Sequence, residues 1–311
     1  MGEWLKGKVA VVTGAGGGIG RAVAVAIADQ GAKVVVNDLG GSSTGEGASQ
    51  RPAGSVVDEI KSAGGDAVAN YESVAIMEGG EKIIQMALDS FGRLDILVTC
   101  AGILRDRMLF NMTEQEWDSV INTHLKGTFA CAKPASIVFR QQRSGRIITF
   151  TSTSGLYGNT GQANYSSAKS GIGGFTKVVA LDLGRYGVTV NAVAPMAGTR
   201  MTLTDEYFQA RATREQQGVK REGFGFEARV EDMKPEDVAP LVVYLASDLA
   251  SDINGQIIFI GGGVISYVAP PRPVKTIFKD GRWTVDELIA TVPHTLAEGL
   301  VNPAPPQEAK K

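Results

Sequence analysis

Two cysteines and two histidines are all that this chain of 311 residues carries. Two thiols, Cys100 and Cys131, are too few for a disulfide framework, and they fit a reducing compartment. Cys100 closes an apolar run and Cys131 falls within a helical one, so both read as small buried hydrophobes. With only His124 and His294 besides, no metal-ligand spacing exists and no metal is expected. His124 reads as a structural helix residue rather than a base. Charge of one sign is also missing. The 31 Lys and Arg against 33 Asp and Glu leave a net −2, which argues against a nucleic-acid partner. No apolar run reaches the length of a membrane span, so no membrane partner is expected. The first apolar segment begins within a few residues of Met1, leaving no room for a signal peptide. Lys6 breaks the myristoylation pattern that Gly2 would open, and Ala309-Lys310-Lys311 is not a peroxisomal address. A cytoplasmic location is expected.

What the chain does have is glycine, 39 residues of it, and an apolar fraction of 43%, enough for a substantial core. Lys8–Thr13 (KVAVVT) reads as a buried strand. It runs into Gly14, Gly18 and Gly20, and Arg21–Gln30 reads as a helix. Strand, glycine turn and helix in that order are the context of a dinucleotide site. The glycines allow a tight turn, and backbone N–H groups at the helix start can meet a pyrophosphate. A second strand, Lys33–Asn37, ends at Asp38. A carboxylate there accepts from ribose hydroxyls and repels a 2′-phosphate, so the cofactor is read as NAD rather than NADP.

Ser152, Tyr165 and Lys169 form the second constellation. Tyr165 and Lys169 lie one helical turn apart on a shared face. A phenol has a free pKa of about 10, and a neighbouring ammonium favours the phenolate, so Lys169 is expected to pull the tyrosine toward the working range. Ser152, delivered from a preceding strand, can hold the oxygen that gains or loses the proton.

Along the chain, further strands are expected at residues 67–71, 94–99, 146–151, 189–194 and 256–260. Helices are expected at 80–91, 113–142, 164–186 and 235–247. The alternation predicts an α/β fold, a doubly wound parallel sheet of about seven strands with helices on both faces. Gly14, Asp38, Gly102, Ser152 and Pro195 all fall at C-terminal strand ends, where such sheets bind ligands. Three segments interrupt the pattern. Residues 40–52 read as a flexible surface excursion near the adenosine end. Residues 197–234 carry Met201, Leu203, Tyr207, Phe208, Phe224 and Phe226, with Met196 just before them. They read as a lid over a bulky substrate or as core-packing helices. Residues 266–311 hold seven of the twelve prolines and read as an extension to a domain spanning 1–265. A short helix is expected near 286–289 and disorder over the last ten residues.

Taken together, these residues resemble the short-chain dehydrogenase/reductase family over about residues 5–263. The resemblance rests on Thr13-Gly14, Gly18-Ile19-Gly20, Ala101-Gly102, Asn122, Ser152, Tyr165 with Lys169, and Asn191–Pro195. Within the family, the passages 36–41, 68–71, 101–107, 156–159, 161–165, 197–198 and 200–202 are similar to the (3R)-hydroxyacyl-CoA dehydrogenase branch. The resemblance implies a Rossmann-type fold and an NAD-dependent enzyme that interconverts a (3R)-3-hydroxyacyl-CoA and its 3-ketoacyl-CoA. A 17β-type hydroxysteroid dehydrogenase, an NADPH-dependent 3-ketoacyl reductase and an idle NAD-sensing scaffold are the alternatives. It implies Tyr165 as general acid/base, Lys169 as its support and a ribose ligand, Ser152 on the substrate oxygen, and Asn122 in a proton relay. Gly14, Gly18, Ile19 and Gly20 would wrap the pyrophosphate. Asp38 would take the adenosine ribose, and Val193 the carboxamide through its backbone. Ser73, Val74, Ala101, Gly102 and Pro195 would complete the cofactor site. A homodimer or homotetramer is implied as well. The chain departs from the family at Thr99-Cys100, where Asn-Asn is usual, and at Met196, where Gly is usual. Arg105 and Arg107 are candidates for the phosphates of CoA, against the simpler reading of surface arginines.

Overall fold

The computed structural model describes residues 3–204, 208–209 and 229–304. The chain divides into two units, Met1–Val268 and Ala269–Lys311.

The first unit is built on one sheet, ordered β3-β2-β1-β4-β5-β6-β7-β8. Its strands are β1 (Val9–Thr13), β2 (Lys33–Asn37), β3 (Ala67–Asn70), β4 (Ile96–Thr99), β5 (Gly145–Phe150), β6 (Val188–Met196), β7 (Ile257–Gly261) and β8 (Val264–Val268). β1 to β7 pair in parallel, and β8 returns antiparallel to β7. The sheet is therefore the doubly wound one expected, with an eighth strand in place of about seven. That strand runs through residue 265, so the sheet-bearing unit extends past the boundary read from the sequence. Its hairpin closes over Gly262 and Gly263, with Gly262 at φ +54°, a conformation in which a side chain is strained.

β1 and β4 are buried along their whole length, as strands covered on both faces must be. Alternate residues feed opposite faces. Ala10 and Val12 join Val23, Ile27, Val56, Ile60, Val242 and Leu245 in one core. Val9 and Val11 join Ile83, Ala87, Cys131, Ala135, Phe139 and Leu183 in the other. The first layer holds α1 (Gly18–Asp29), α2 (Arg51–Ser62) and α8 (Ala239–Ala246). The second holds α3 (Met77–Phe91), α5 (Gly127–Gln142) and α7 (Ala163–Gly184). α2 was not foreseen, although Pro52 in its first turn is a start signal.

The single long helix expected at 113–142 is three pieces. A capping box of Thr113 and Glu116 starts α4 (Glu114–Ile121), a π-helical turn spans Asn122–Lys126, and α5 follows. The helix expected at 235–247 opens as a 3₁₀ turn, Pro235–Asp237, before α8. Much of the lid segment 197–234, including Tyr207, Phe224 and Phe226, lies outside the described residues, as do seven of the last ten residues.

The second unit carries α9 (Val285–Thr291), again begun by a capping box, Thr284 with Glu287. Lys275 Nζ donates to the carbonyls of Thr295 and Glu298. None of its described residues is buried.

Candidate active site

The glycine turn after β1 shows why side chains are barred from it. Gly14 (φ +65°) and Gly18 (φ +53°) adopt left-handed conformations, and a Cβ on Gly14 would come within 2.6 Å of Ala101 Cα. A Cβ on Gly20 would overlap the Gly14 carbonyl, so that glycine lets α1 close onto the turn. Gly17 precedes α1 without any side-chain cap, leaving the N–H groups of Gly18, Ile19 and Gly20 for an anion at the positive end of the helix dipole. Thr13 and Gly16 also belong to this site, though the sequence reading gave them no role. Thr13 Oγ1 accepts from the N–H groups of Cys100 and Ala101, both at 3.2 Å, tying the ends of β1 and β4 together. Gly16 N–H donates to Asp38 Oδ2 at 2.8 Å. A Cβ on Gly16 would lie 2.6 Å from Pro52 Cβ and 2.8 Å from Asp38 Cγ. The other carboxylate oxygen of Asp38 accepts from Gly40 N–H at 2.7 Å. A dinucleotide fits this cradle: a helix start free for phosphate, and a fixed carboxylate at the end of β2 for a ribose.

Beyond β3, Ser73 Oγ accepts from Ala75 N–H at 3.3 Å. Val74 is buried against Gly127, whose Cβ would be 2.9 Å from Val74 Cγ2. Pro195 is half-buried near the end of β6. Val193 is fully buried within β6, and its carbonyl accepts from Thr151 N–H at 2.9 Å. Its backbone carbonyl is thus committed to the sheet.

Residues 40–50 differ from the flexible excursion expected. Leu104 N–H donates to the Ser43 carbonyl at 2.9 Å, and Arg105 Nε to the Thr44 carbonyl at 2.9 Å. A Cβ on Gly45 would lie 3.0 Å from Ile103 Cδ1. The insert is fastened to the segment after β4. Arg105 is spent on this contact and a 3.9 Å ion pair with Glu46. Arg107 pairs with Glu116 at 3.0 Å. Neither is a free cation for CoA phosphates.

Ser152 follows β5 and caps the short helix α6 (Thr153–Tyr157), its Oγ accepting from Ser154 N–H at 3.2 Å. Gly155 lets that helix press onto α7, where a Cβ would stand 2.7 Å from Ser170 N. The Ser152 hydroxyl is thereby brought beside the Tyr165 phenol, where it acts to lower the phenol's pKa. Lys169 is buried, donates from Nζ to the Phe150 carbonyl at 2.7 Å, and lies 5.6 Å from the Tyr165 ring centroid. Asn122 opens the π turn, which packs against α7. Such turns interrupt helices at functional sites often enough to mark Asn122 independently of its side chain.

The electrostatics overturn one expectation. Tyr165 is not pulled down by Lys169. Burial pushes its pKa up to about 12; the Ser152 hydroxyl opposes this, and the charge of Asp106 adds to it. Lys169 is itself driven down to about 8 by burial. A desolvated ammonium is disfavoured, so it makes a weak stabiliser of the phenolate. Burial likewise pushes the Cys100 thiol up to about 12, which leaves it inert.

Two more groups support the tyrosine without a signal in the sequence. Asn164 is fully buried and takes the backbone N–H of Tyr165 on Oδ1 at 2.7 Å, while Nδ2 donates to the carbonyls of Arg105 and Glu116 at 2.9 and 3.1 Å. Gln162 Nε2 donates to Asp106 Oδ2 at 2.7 Å, holding the loop before α7 to the segment after β4. A phenol, a hydroxyl and a buried amine meeting beside a dinucleotide cradle can move a proton on an alcohol or carbonyl oxygen while a hydride moves on its carbon.

The chain belongs to the short-chain dehydrogenase family, whose sequence profile matches residues 8–210. Enzymes of that family are oxidoreductases that use a nicotinamide cofactor. Peroxisomal multifunctional enzyme type 2 of Drosophila melanogaster is 46% identical over 257 residues, covering 83% of this chain and 39% of that protein. The chain thus spans well under half the length of that relative. Hydroxyacyl-CoA dehydrogenase ChsB1 of Mycobacterium tuberculosis is 40% identical over 301 residues, covering 93% of this chain and 88% of that one. The crystal structure of a short chain dehydrogenase from Mycobacterium avium is 41% identical, with a TM-score of 0.79, covering 98% of this chain and 99% of that one.

Proposed function

We propose that this protein is an NAD-dependent dehydrogenase that interconverts a (3R)-3-hydroxyacyl-CoA and its 3-ketoacyl-CoA. The observation that carries the chemistry is the convergence of Ser152 and Lys169 on Tyr165. The carboxylate of Asp38, held by two backbone N–H groups, supports NAD over NADP, because a 2′-phosphate would meet a fixed negative charge. The thioester substrate is supported by the name of the Mycobacterium tuberculosis relative, which matches along most of its length.

NAD, when bound, supplies the hydride acceptor. In the oxidative direction Ser152 orients the substrate hydroxyl, and Tyr165 takes its proton as the C–H bond yields its hydride. Lys169 holds the cofactor ribose, and Asn122 keeps a path open by which the proton leaves. In reduction Tyr165 returns the proton to the carbonyl oxygen. Exposed Phe129, Ile137, Val178 and Leu181 on α5 and α7 support a homodimer or homotetramer, and the reading places the protein in the cytoplasm.

The test is NADH formation with 3-hydroxyacyl-CoA substrates of short, long and steroid-side-chain type. Free hydroxysteroids, acyl-carrier-protein thioesters and NADP serve as competing arms. Activity confined to the acyl-CoA arm with NAD is expected, as is its loss in Tyr165→Phe. Equal rates for wild type and Tyr165→Phe would sink the tyrosine assignment, and a preference for NADP would sink that of Asp38.

A further inference from the structure

The π turn that holds Asn122 brings a second side chain to the tyrosine. His124 is only 2% exposed. Its ring stands edge-to-face with that of Tyr165, centroids 5.1 Å apart and planes at 87°. Nε2 lies 2.8 Å from the Ile103 carbonyl oxygen and 3.1 Å from the Ile103 N–H nitrogen. One imidazole nitrogen serves only one of these at a time, as donor or as acceptor. Nδ1 is buried and has no hydrogen-bond partner among the described residues. On another side the ring meets Gly102, where a Cβ would overlap Cε1 and come within 3.0 Å of Nδ1. Gly102 must therefore be glycine in this chain because His124 occupies the space a side chain would need. Held by Ile103 and Gly102, the ring has one position.

We propose that His124 is a positioning residue: a neutral, immobile wall of the seat in which Tyr165 presents its hydroxyl. The inference rests on Tyr165 being the acid/base. His124 takes no proton in the reaction, since burial and the charge of Lys169 keep it neutral across the working range. It acts through the phenol. Asn164 anchors the backbone of Tyr165 and Ser152 engages its hydroxyl, but the ring between them is placed by packing alone. An edge-on aromatic contact adds direction to that packing, which an aliphatic group of similar bulk does not supply. A reacting oxygen displaced by about 1 Å loses on the order of a hundredfold in rate.

The experiment compares wild type with His124→Leu, His124→Phe, His124→Gln and Tyr165→Phe. kcat, both KM values and the pH profile of oxidation are measured on folded protein. Leu is expected to lower kcat about 10- to 100-fold with KM for NAD within about threefold, since the cradle at Asp38 is untouched. Loss of the edge-on contact also changes how the phenol meets Ser152, so the alkaline rise of kcat is expected to move from its wild-type position. Phe keeps a ring against Tyr165 and is expected to restore most of kcat. Gln keeps a polar partner for Ile103 and is expected to restore little. Wild-type kcat and pH profile in His124→Leu, with Tyr165→Phe inactive, would overturn the inference alone. An active Tyr165→Phe would overturn the reading beneath it. Should Leu fail to fold, the Phe and Gln pair decides: Gln equal to or better than Phe would overturn the proposal.

Discussion

Acid should weaken this protein through His124, by an amount the structure sets. Burial, then the nearby charge of Lys169, pushes the imidazole from its ordinary 6.5 down to about 3. Between those values the unfolded chain binds a proton that the folded state refuses. Stability therefore falls as pH drops below 6.5, and the loss is complete once pH passes below 3. At pH 5 the unfolded imidazole is about 97% protonated and the folded one about 1%, which corresponds to a loss of about 2 kcal/mol relative to pH 8. The full gap of about 3.5 pH units amounts to roughly 5 kcal/mol. Since the side chain is 2% exposed, solvent screening does not erode the effect as it would at the surface.

The assay is urea unfolding of wild type and His124→Gln at pH 7.5 and pH 5. Carboxylates elsewhere titrate alike in both proteins, so their contribution cancels in the difference. Wild type is expected to lose about 2 kcal/mol more than the variant over that interval. ¹⁵N spectra of histidine-labelled protein should show a neutral ring at pH 5, assigned by its disappearance in the variant. Equal losses in the two proteins, or a protonated His124 signal at pH 5, would refute the reasoning.

Three further outcomes follow from the same geometry. Gly16→Ala puts a Cβ against Pro52 and Asp38, so KM for NAD should rise about tenfold or more and stability should fall by about 1–3 kcal/mol, with kcat little changed; an unaltered KM would count against the cradle. With the phenol of Tyr165 pushed up to about 12, oxidation, which needs the phenolate, should accelerate from pH 7 to pH 10, while reduction, which uses the protonated phenol, should stay level over the same range, as initial rates in both directions would show; a flat oxidation profile would contradict it. Arg105→Ala removes the bond to Thr44 and the pair with Glu46, so residues 40–50 should be cleaved faster in limited proteolysis while global stability changes by under about 1 kcal/mol.

What the sequence could disclose follows from how local each requirement is. Gly14 and Gly18 announce themselves because the turn and the helix start are contiguous with them. Gly16 does not, because the atoms that forbid its side chain belong to Asp38 and Pro52, brought in by β2 and α2. The hairpin to β8 was legible in principle, since Gly261–Gly263 separate two apolar runs. His124 was not. A continuous α-helix over 113–142 gives one set of facing residues, and the π turn at Asn122–Lys126 shifts that register. The sign of the Tyr165 shift was missed for a related reason. Spacing places an ammonium beside a phenol, but only packing decides that both lose their water.

One connected path links the two ends of the site. Asp38 holds Gly40 N–H, and the insert that follows takes Leu104 N–H and the Arg105 guanidinium on its carbonyls. The Arg105 carbonyl accepts from Asn164, and Asn164 fixes the backbone of Tyr165. Such a chain invites description as a relay between cofactor and catalyst, yet its physics is that of a frame. Each bond contributes about 1 kcal/mol net, and coupling between sites requires an element with two arrangements whose balance both sites bias. Among the described residues each donor of this path has its acceptor: Leu104 N–H, the Arg105 guanidinium and Asn164 Nδ2 donate to backbone carbonyls, Gly40 N–H to the Asp38 carboxylate and Tyr165 N–H to Asn164 Oδ1. Its consequence is pre-organisation. The carboxylate proposed to receive the ribose and the phenol proposed to handle the proton are held by one scaffold before any ligand arrives. Ordering costs are then met on folding instead of on binding, and that makes a loosened insert in Arg105→Ala a defect of cofactor affinity before it is a defect of chemistry.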